Sequence, residues 1–487
     1  MLRRRPFDPA SRDRRTARRA GSRTGPHTLT MTAAPTTTDR PTRLARNVTG
    51  PLLFLFILGD VLGAGVYALV GELSGEAGGM IWLPLLVALG MALLTAASYA
   101  ELVTKYPQAG GSAVYAQRAF GRPLVSFLVG FCMLAAGVTS AAGLSLAFAG
   151  DYLGTFLDVP AVPTAIVFLA LVAALNLRGI KESLRANVVM TAVELSGLVL
   201  VVVLGAIVLG RGDGDVTRLS ELPAETGVAA ATLGGALIAF YSFVGFETSA
   251  NIAEEVRDVR RVYPRALFGA IATAGLVYLL VALVAPAVVP LEDLQASSGP
   301  LLEVVKVAGG MPLELFSVVA LVAVANGALL TMVMASRLTY GMAEERLLPS
   351  VFGRVLPGRR TPVVAIVATT AVAMALTLTG SLADLASTVV LLLLFVFLST
   401  NVAVLVLRRD RVEHSHFRAW TPLPVLAVGT CLLLLTQQEA KHWLLAGILL
   451  ALGAVLYVAT RHRGHASTDR AEDDEREHEA TEATEGR

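Results

Sequence analysis

The chain has two cysteines in 487 residues, Cys132 and Cys431, and both sit inside apolar runs. They supply no disulfide framework and read as small packing residues. Charge is scarce as well: 16% of residues are Asp, Glu, Lys or Arg, while 54% are hydrophobic. That balance excludes a soluble globular protein, which needs polar surface to cover its core. No histidine cluster has metal-ligand spacing, no glycine loop has the phosphate-binding pattern and no nucleophile stands beside an evident base. An enzyme is therefore not indicated, and neither a cofactor nor a metal is expected. His414 and His416 fall in a charged loop and read as solvated.

The first fifty residues also lack a signal-peptide core. Their arginines, among them Arg3, Arg4, Arg5, Arg14 and Arg15, are mixed with Pro, Thr and Ser. We expect a disordered cytoplasmic tail over residues 1–49, not a nucleic-acid-binding segment. Met31 is an alternative start. A second disordered tail is expected over 461–487, mostly acidic from Asp469, and the two opposite tails help leave a net charge of only +2.

What is present is a series of apolar runs, each near the roughly twenty residues that cross a bilayer as a helix. Twelve are expected. The first six are Pro51 to Val70, Met80 to Leu102, Leu124 to Phe148, Val162 to Leu177, Val188 to Leu209 and Ala229 to Ala253. The others are Ala266 to Val288, Leu313 to Arg337, Val363 to Leu378, Leu385 to Val406, a short one at Leu423 to Leu435, and Trp443 to Thr460. The connections after even-numbered spans carry the basic residues, for example Lys105, Arg118 and Arg122, then Arg257, Arg260, Arg261 and Arg265. The opposite loops hold only Arg211, Arg218, Lys306 and Lys441. Both termini are then cytoplasmic by the positive-inside rule. Short cytoplasmic helices are expected at Tyr106 to Phe120 and within Ala343 to Pro357.

Two spans are interrupted in matching ways. The sixth carries Gly245 and Glu247 in AFYSFVGFETSA, and the first carries Gly59, Asp60, Gly63 and Gly65 in FILGDVLGAGVY. Glycine costs about 1 kcal/mol against Ala in a helix, and a charge at membrane depth usually faces a bundle interior or cavity. Breaks in both helices would present unpaired N–H groups to a carboxylate and unpaired C=O groups to an ammonium, which suits an α-amino acid. The same glycines would also serve close helix packing. Five helices separate the two, so residues 50–209 and 229–406 are expected to form two halves of inverted topology, with 423–460 as an added pair. Beyond Gly245, Glu254 and Glu255 lie among Arg257, Arg260, Arg261 and Arg265 and are expected to form an inner gate or salt-bridge network.

These residues carry a resemblance. Gly63-Ala64-Gly65, Tyr99-Ala100-Glu101-Leu102, Pro107 with Gly110-Gly111-Ser112 and Tyr115, the run Phe240 to Leu267 and the segment Asn326 to Pro349 are together similar to permeases of the amino acid, polyamine and organocation family. The similarity covers about Gly50 to Thr460 and is strongest toward cationic amino acid transporters and their bacterial relatives. It implies an all-α polytopic membrane protein of about twelve helices with a ten-helix inverted-repeat core of the leucine-transporter type. It further implies that Val61, Gly63, Ala64 and Gly65 contact the substrate backbone. Phe240, Ser242, Phe243 and Gly245 would supply the sixth-helix side with an aromatic gate, and Glu247 would help select the substrate side chain. Relatives with a fifth-helix lysine place it at a cation site. The equivalent here is Glu194, which would bind a proton or cation or bond a neighbouring helix. Asp60 and Asn326 are the other ion-coupling candidates. Asp258-Val259 replaces the Asn-Pro of many relatives, so the cytoplasmic turn is expected to differ.

The expected activity is secondary active transport of amino acids across the cytoplasmic membrane by alternating access, coupled to H+ rather than Na+. A polyamine or organic-cation exchanger is the alternative within transport, since Asp60 and Glu247 also suit a positive substrate. A non-transporting amino-acid sensor is the alternative from another class, although both tails are short for an output region. A channel would use rings of charge or carbonyls from repeated subunits, which two asymmetric sites do not provide.

Overall fold

A computed structural model describes residues 48–458 apart from 109, 179–180, 224–226, 345–346 and 357–360, with only the backbone course described at 63–64 and 181–186. Both expected tails lie outside these residues, save positions 48 and 49. The helices are α1 (Gly50–Ala77), α2 (Trp82–Lys105), α3 (Gly111–Phe120), α4 (Pro123–Phe148), α5 (Asp151–Gly154), α6 (Ala161–Arg178), α7 (Lys181–Arg211) and α8 (Val228–Tyr241). There follow α9 (Val259–Val288), α10 (Leu291–Ala296), α11 (Pro300–Ala308), α12 (Leu313–Glu344), α13 (Val363–Leu376), α14 (Leu382–Leu407), α15 (Pro422–Thr436) and α16 (Ala440–Val458). Three 3-10 segments, Val216–Ser220, Phe246–Glu255 and Ser350–Gly353, complete the described structure.

Nine of these helices, and α8 taken together with the 3-10 segment that ends at Glu255, make ten spans long and apolar enough to cross a membrane, and the shorter apolar helices α13 and α15 bring the set to the twelve expected. The protein is an all-α polytopic membrane protein. Local chemistry fixes several ends. Gly121 closes α3 with φ 62°, a left-handed conformation that glycine tolerates, and Pro123 then opens α4, where its missing N–H is no loss. Ser381 and Asp384 form a reciprocal capping box at the start of α14. The core is one continuous apolar cluster with α1 at its centre; α6 and α16 instead turn side chains such as Val167, Leu171, Leu444 and Val455 outward, as lipid-facing helices must.

The expected break in the first span does not occur. α1 is continuous from Gly50 to Ala77, through the positions of Gly63 and Ala64. Its glycines serve close packing instead. A Cβ at Gly65 would lie 2.8 Å from Ser242 Cα, and one at Gly59 would lie 3.0 Å from Asn187 Oδ1. In a bilayer an intact backbone ladder is the default, because each freed N–H or C=O needs a replacement partner. The sixth span does break. α8 ends at Tyr241, Ser242 to Val244 tighten into i→i−3 hydrogen bonds, and Gly245 takes φ 125° before the 3-10 segment begins.

Two other expectations change. The second cytoplasmic helix is an extension of α12 to Glu344 and a 3-10 turn at Ser350–Gly353, with Glu345, Arg346 and Pro357 outside the described residues. Pro349 stands directly before that turn, where a proline does not continue a helix from its preceding residue. The helices α10 and α11 after the seventh span were not expected; they are too short to register as apolar runs.

The end of α2 is clasped to the α14–α15 connection. Arg408 donates from Nε to Glu101 Oε1 (3.0 Å) and from Nη2 to Glu101 Oε2 (2.8 Å), and the Ala419 N–H adds a third donor at 2.9 Å. Lys105 Nζ donates to the carbonyls of Leu407 and Asp410. Tyr106 donates to Asp410 Oδ2, and burial, reinforced by this contact, pushes its phenol above the ordinary range. A buried bidentate pair with extra hydrogen bonds fixes geometry more than it adds stability.

Candidate functional site

The break in the sixth span opens onto a cavity of about 80 Å3 lined by α1, α4, the end of α8, α12, α14 and the 3-10 segment. One end is polar, with Asp60, Gly245, Glu247, Thr248 and Asn251. The rest of the lining mixes apolar side chains, Met133, Leu144, Met334, Leu338 and Leu393, with the hydroxyls of Ser140, Tyr241, Ser242 and Thr331. Among the described residues lining it there are two carboxylates and no basic side chain.

The polar end is built by the break itself. A 3-10 segment starting at Phe246 leaves N–H groups at its N-terminus without intrahelical partners. Glu247 folds back so that its Oε2 accepts from the Gly245 N–H at 2.9 Å, and its side chain is buried. Thr248 Oγ1 shares its one hydrogen between the Gly245 carbonyl (2.8 Å) and Asp60 Oδ2, which ties the 3-10 segment to α1. A Cβ at Gly245 would fall 2.6 Å from the Asp60 carbonyl oxygen, so only glycine permits this approach. Opposite, Tyr278 donates to the carbonyls of Val61 and Leu62 at 2.6 and 2.9 Å.

Of the residues anticipated for substrate, Val61, Gly65, Ser242, Gly245 and Glu247 line the cavity, as does Asp60. Gly63 and Ala64 lie beyond what is described of α1 other than its backbone. Phe240 and Phe243 are buried elsewhere: Phe240 meets Phe397 edge-on at 5.8 Å and Phe243 meets Tyr278 at 5.4 Å. The aromatic at the cavity is Tyr241, hydrogen-bonded to Ser140 on α4 at 2.9 Å. Thr248, Asn251, Met133 and Met334 were missed. The first two follow Glu247 in the same short segment and share its setting, a pattern visible in the sequence. The methionines carry none, since they look like any other apolar position of a span.

A second polar cluster lies behind Asp60. Glu194 on α7 is fully buried, and neither of its carboxylate oxygens has a hydrogen-bond partner among the described residues. Asn326 on α12 stands beside it, donating to Asn187 Oδ1 at 3.1 Å while its own Oδ1 is unpaired. Thr191 donates to the same Asn187 oxygen at 3.3 Å, and Asp60 lies within electrostatic reach of Glu194. The structure thus brings Asp60, Glu194 and Asn326 into one region where α1, α7 and α12 meet. Asn187, Thr191 and Glu194 are spaced i, i+4, i+7 on one helical face, a pattern visible in the sequence.

At the end of the 3-10 segment, Glu255 faces Arg337 of α12 electrostatically, a partner not foreseen. Glu254 is half-buried beside it and Arg257 is exposed. The backbone closes this end. The Val48 N–H donates to the Glu255 carbonyl and the Arg257 N–H to the Val48 carbonyl, both at 3.0 Å, so the chain entering α1 is paired with the chain leaving the 3-10 segment.

The profile of the amino acid permease family matches residues 52–457. Among similar proteins, the methylthioribose transporter of Bacillus subtilis is 27% identical over 438 residues, covering 85% of this chain and 93% of that one. The vacuolar cationic amino acid transporter 4 of Arabidopsis thaliana is 29% identical over 394 residues, 76% of this chain and 64% of its own length. The low-affinity putrescine importer PlaP of Escherichia coli is 31% identical over 317 residues, 62% of this chain and 68% of that protein.

Proposed function

Because the chain belongs to the amino acid permease family, we propose that it is a secondary active transporter that moves amino acids across the cytoplasmic membrane by alternating access, in symport with H+. The observation that carries this reading is the cavity at the sixth-span break, lined by two carboxylates and many apolar side chains, with no basic side chain among its described lining. The substrate ammonium binds at Asp60 and Thr248, and an apolar side chain extends toward Met133 and Met334. Residues 50–209 and 229–406 act as the two halves that move relative to each other, with Glu254, Glu255 and Arg257 at the inner gate and both termini cytoplasmic.

Glu194 supports the coupling assignment. A buried carboxylate without a hydrogen-bond partner needs a proton or a cation to offset the cost of its charge. Protonated, it can donate to the unpaired Oδ1 of Asn326. Asp60, in reach of both sites, links the state of Glu194 to substrate binding.

One observation favours a second reading. The Gly245 N–H that would greet a substrate carboxylate is already taken by Glu247, so an amine without a carboxylate loses little in this pocket. A polyamine or organic-cation exchanger is the outcome this detail supports.

The test is uptake by the purified protein in liposomes, using labelled arginine, leucine and putrescine with and without an inward acid gradient. Uptake of an amino acid that rises with the gradient is expected, and Asp60→Asn is expected to reduce it by about tenfold or more, the scale of one lost charge-assisted contact. Loss of uptake with binding retained assigns Asp60 to coupling, whereas loss of binding assigns it to the pocket. Putrescine exchange without gradient dependence supports the second reading. Binding with no uptake of any solute would leave a sensor and defeat both.

A further inference from the structure

A second crevice, of about 110 Å3, lies on the far side of α4 from the substrate cavity. The cavity uses Met133, Ala136, Gly137 and Ser140, while the crevice uses Phe131, Leu134, Ala135 and Val138. Each set is an i, i+3, i+4, i+7 stripe, and the two are offset by two residues, so they occupy opposite faces of one helix. The remaining walls come from α12, α13 and α16, with Leu348 and Phe352 at the end nearest the α12–α13 connection.

The lining offers nothing to a polar ligand. Its two hydroxyls are satisfied within their own helices: Thr339 donates to the Ala335 carbonyl at 2.8 Å, and Thr369 to those of Ala365 and Ile366 at 2.8 and 3.1 Å. The rest is aliphatic or aromatic and partly open outward from four helices of the bundle. At membrane depth the medium outside is hydrocarbon. Two residues beyond Phe352 stands Arg354, exposed at the helix-connection end, where a lipid phosphate would lie.

We propose that this crevice is a lipid site, holding one acyl chain of a membrane phospholipid with its phosphate at Arg354. The chain completes the packing of α4 on the face opposite the substrate cavity. This inference does not depend on which solute is carried.

Native mass spectrometry of the full chain in detergent, titrated with dioleoylphosphatidylglycerol, tests it alongside thermal unfolding at the same lipid concentrations. One lipid is expected to bind ahead of the others and to raise the unfolding temperature. Ala368→Phe, which fills the crevice from α13, is expected to weaken that first binding by about tenfold, equivalent to displacing roughly two methylenes. Its neighbour Val367→Phe, on the 57% exposed face of the same helix, is expected to leave it unchanged. Arg354→Gln is expected to weaken phosphatidylglycerol several-fold but not dioleoylglycerol, which has no phosphate. If Ala368→Phe does not purify, Val372→Phe, one turn along the same lining, replaces it. Equal lipid binding by wild type and the filled variants overturns the proposal, as does a wild-type dimer that the filling substitution dissociates, which would give the crevice to a second copy of the chain.

Discussion

The first and sixth spans contain the same ingredients, glycines and one carboxylate in an apolar helix, yet only the sixth breaks. In the sixth, the carboxylate follows the glycine by two residues and folds back to accept the Gly245 N–H. In the first, Asp60 precedes Gly63 and Gly65, and its side chain is engaged across the cavity by Thr248. The difference teaches that glycine permits a break in a bilayer but does not cause one. A side chain must also take over the hydrogen bond that the ladder gives up. The two spans then fit as complementary parts: an intact α1 offers a smooth glycine face, and the broken segment lays Ser242 and Gly245 against it.

The sharpest way to break this comparison is Gly245→Ala. The backbone there has φ 125°, which a Cβ disfavours, and the new methyl would meet the Asp60 carbonyl at 2.6 Å. Strain and overlap together predict a loss of about 3 kcal/mol or more, read as a lowered unfolding temperature and uptake near background. Gly65→Ala tests the other partner. Its φ is ordinary for a helix, so the cost is overlap with Ser242 Cα at 2.8 Å alone, about 1–3 kcal/mol. Uptake is expected to fall while the protein remains folded. If Gly65→Ala proves the more damaging of the two, the idea of an intact α1 serving as a packing face is wrong.

Much of this was legible from residues alone. Runs near twenty apolar residues are long enough to cross hydrocarbon at 1.5 Å per residue, so every expected span is found, although α1, α7, α9 and α12 each run well beyond the apolar stretch at one end, to Ala77, Lys181, Val259 and Glu344. Gly245 and Glu247 stood out because an intramembrane carboxylate is costly. The intact α1 was not legible, since Gly63 and Gly65 satisfy the rules for a break and for close packing equally well. Nor was the far wall of the cavity. Met133 and Met334 sit in helices that are apolar all round, where no periodicity separates a cavity-lining position from a packed one. Thr248 and Asp60 lie 188 residues apart, and only the fold shows that they meet.

Glu247→Gln separates the two roles of that side chain. The amide oxygen can still accept from Gly245, so the break survives and stability changes by about 1 kcal/mol. The charge, however, is gone. If Glu247 contributes to holding the ammonium, KM for cationic substrates rises by about tenfold while KM for neutral amino acids changes less. Equal rises for both would make Glu247 a structural cap and leave Asp60 as the recognising carboxylate.

The smallest effect on stability, and the one that carries the comparison to the inner gate, is Glu255→Arg. The 3-10 segment runs from the cavity at Gly245 to the point where Val48 and Val256 pair, so one short element joins the cavity to the backbone pairing at the start of α1. Glu255 faces Arg337 on α12, in a setting open enough that the pair contributes no more than about 1 kcal/mol. Reversal therefore leaves the protein folded and the cavity lining, which ends at Asn251 on this segment, unchanged in composition, but it replaces attraction by repulsion in whichever state brings the two together. Turnover is expected to change several-fold with binding affinity nearly constant, measured as uptake rate in liposomes against substrate binding in detergent. Arg337→Glu should shift turnover in the same direction, and the double reversal Glu255→Arg with Arg337→Glu should restore it. Equal losses of binding and rate, with no rescue by the double variant, would remove Glu255 from the gate and leave the backbone pairing at Val48 as the element that closes this end.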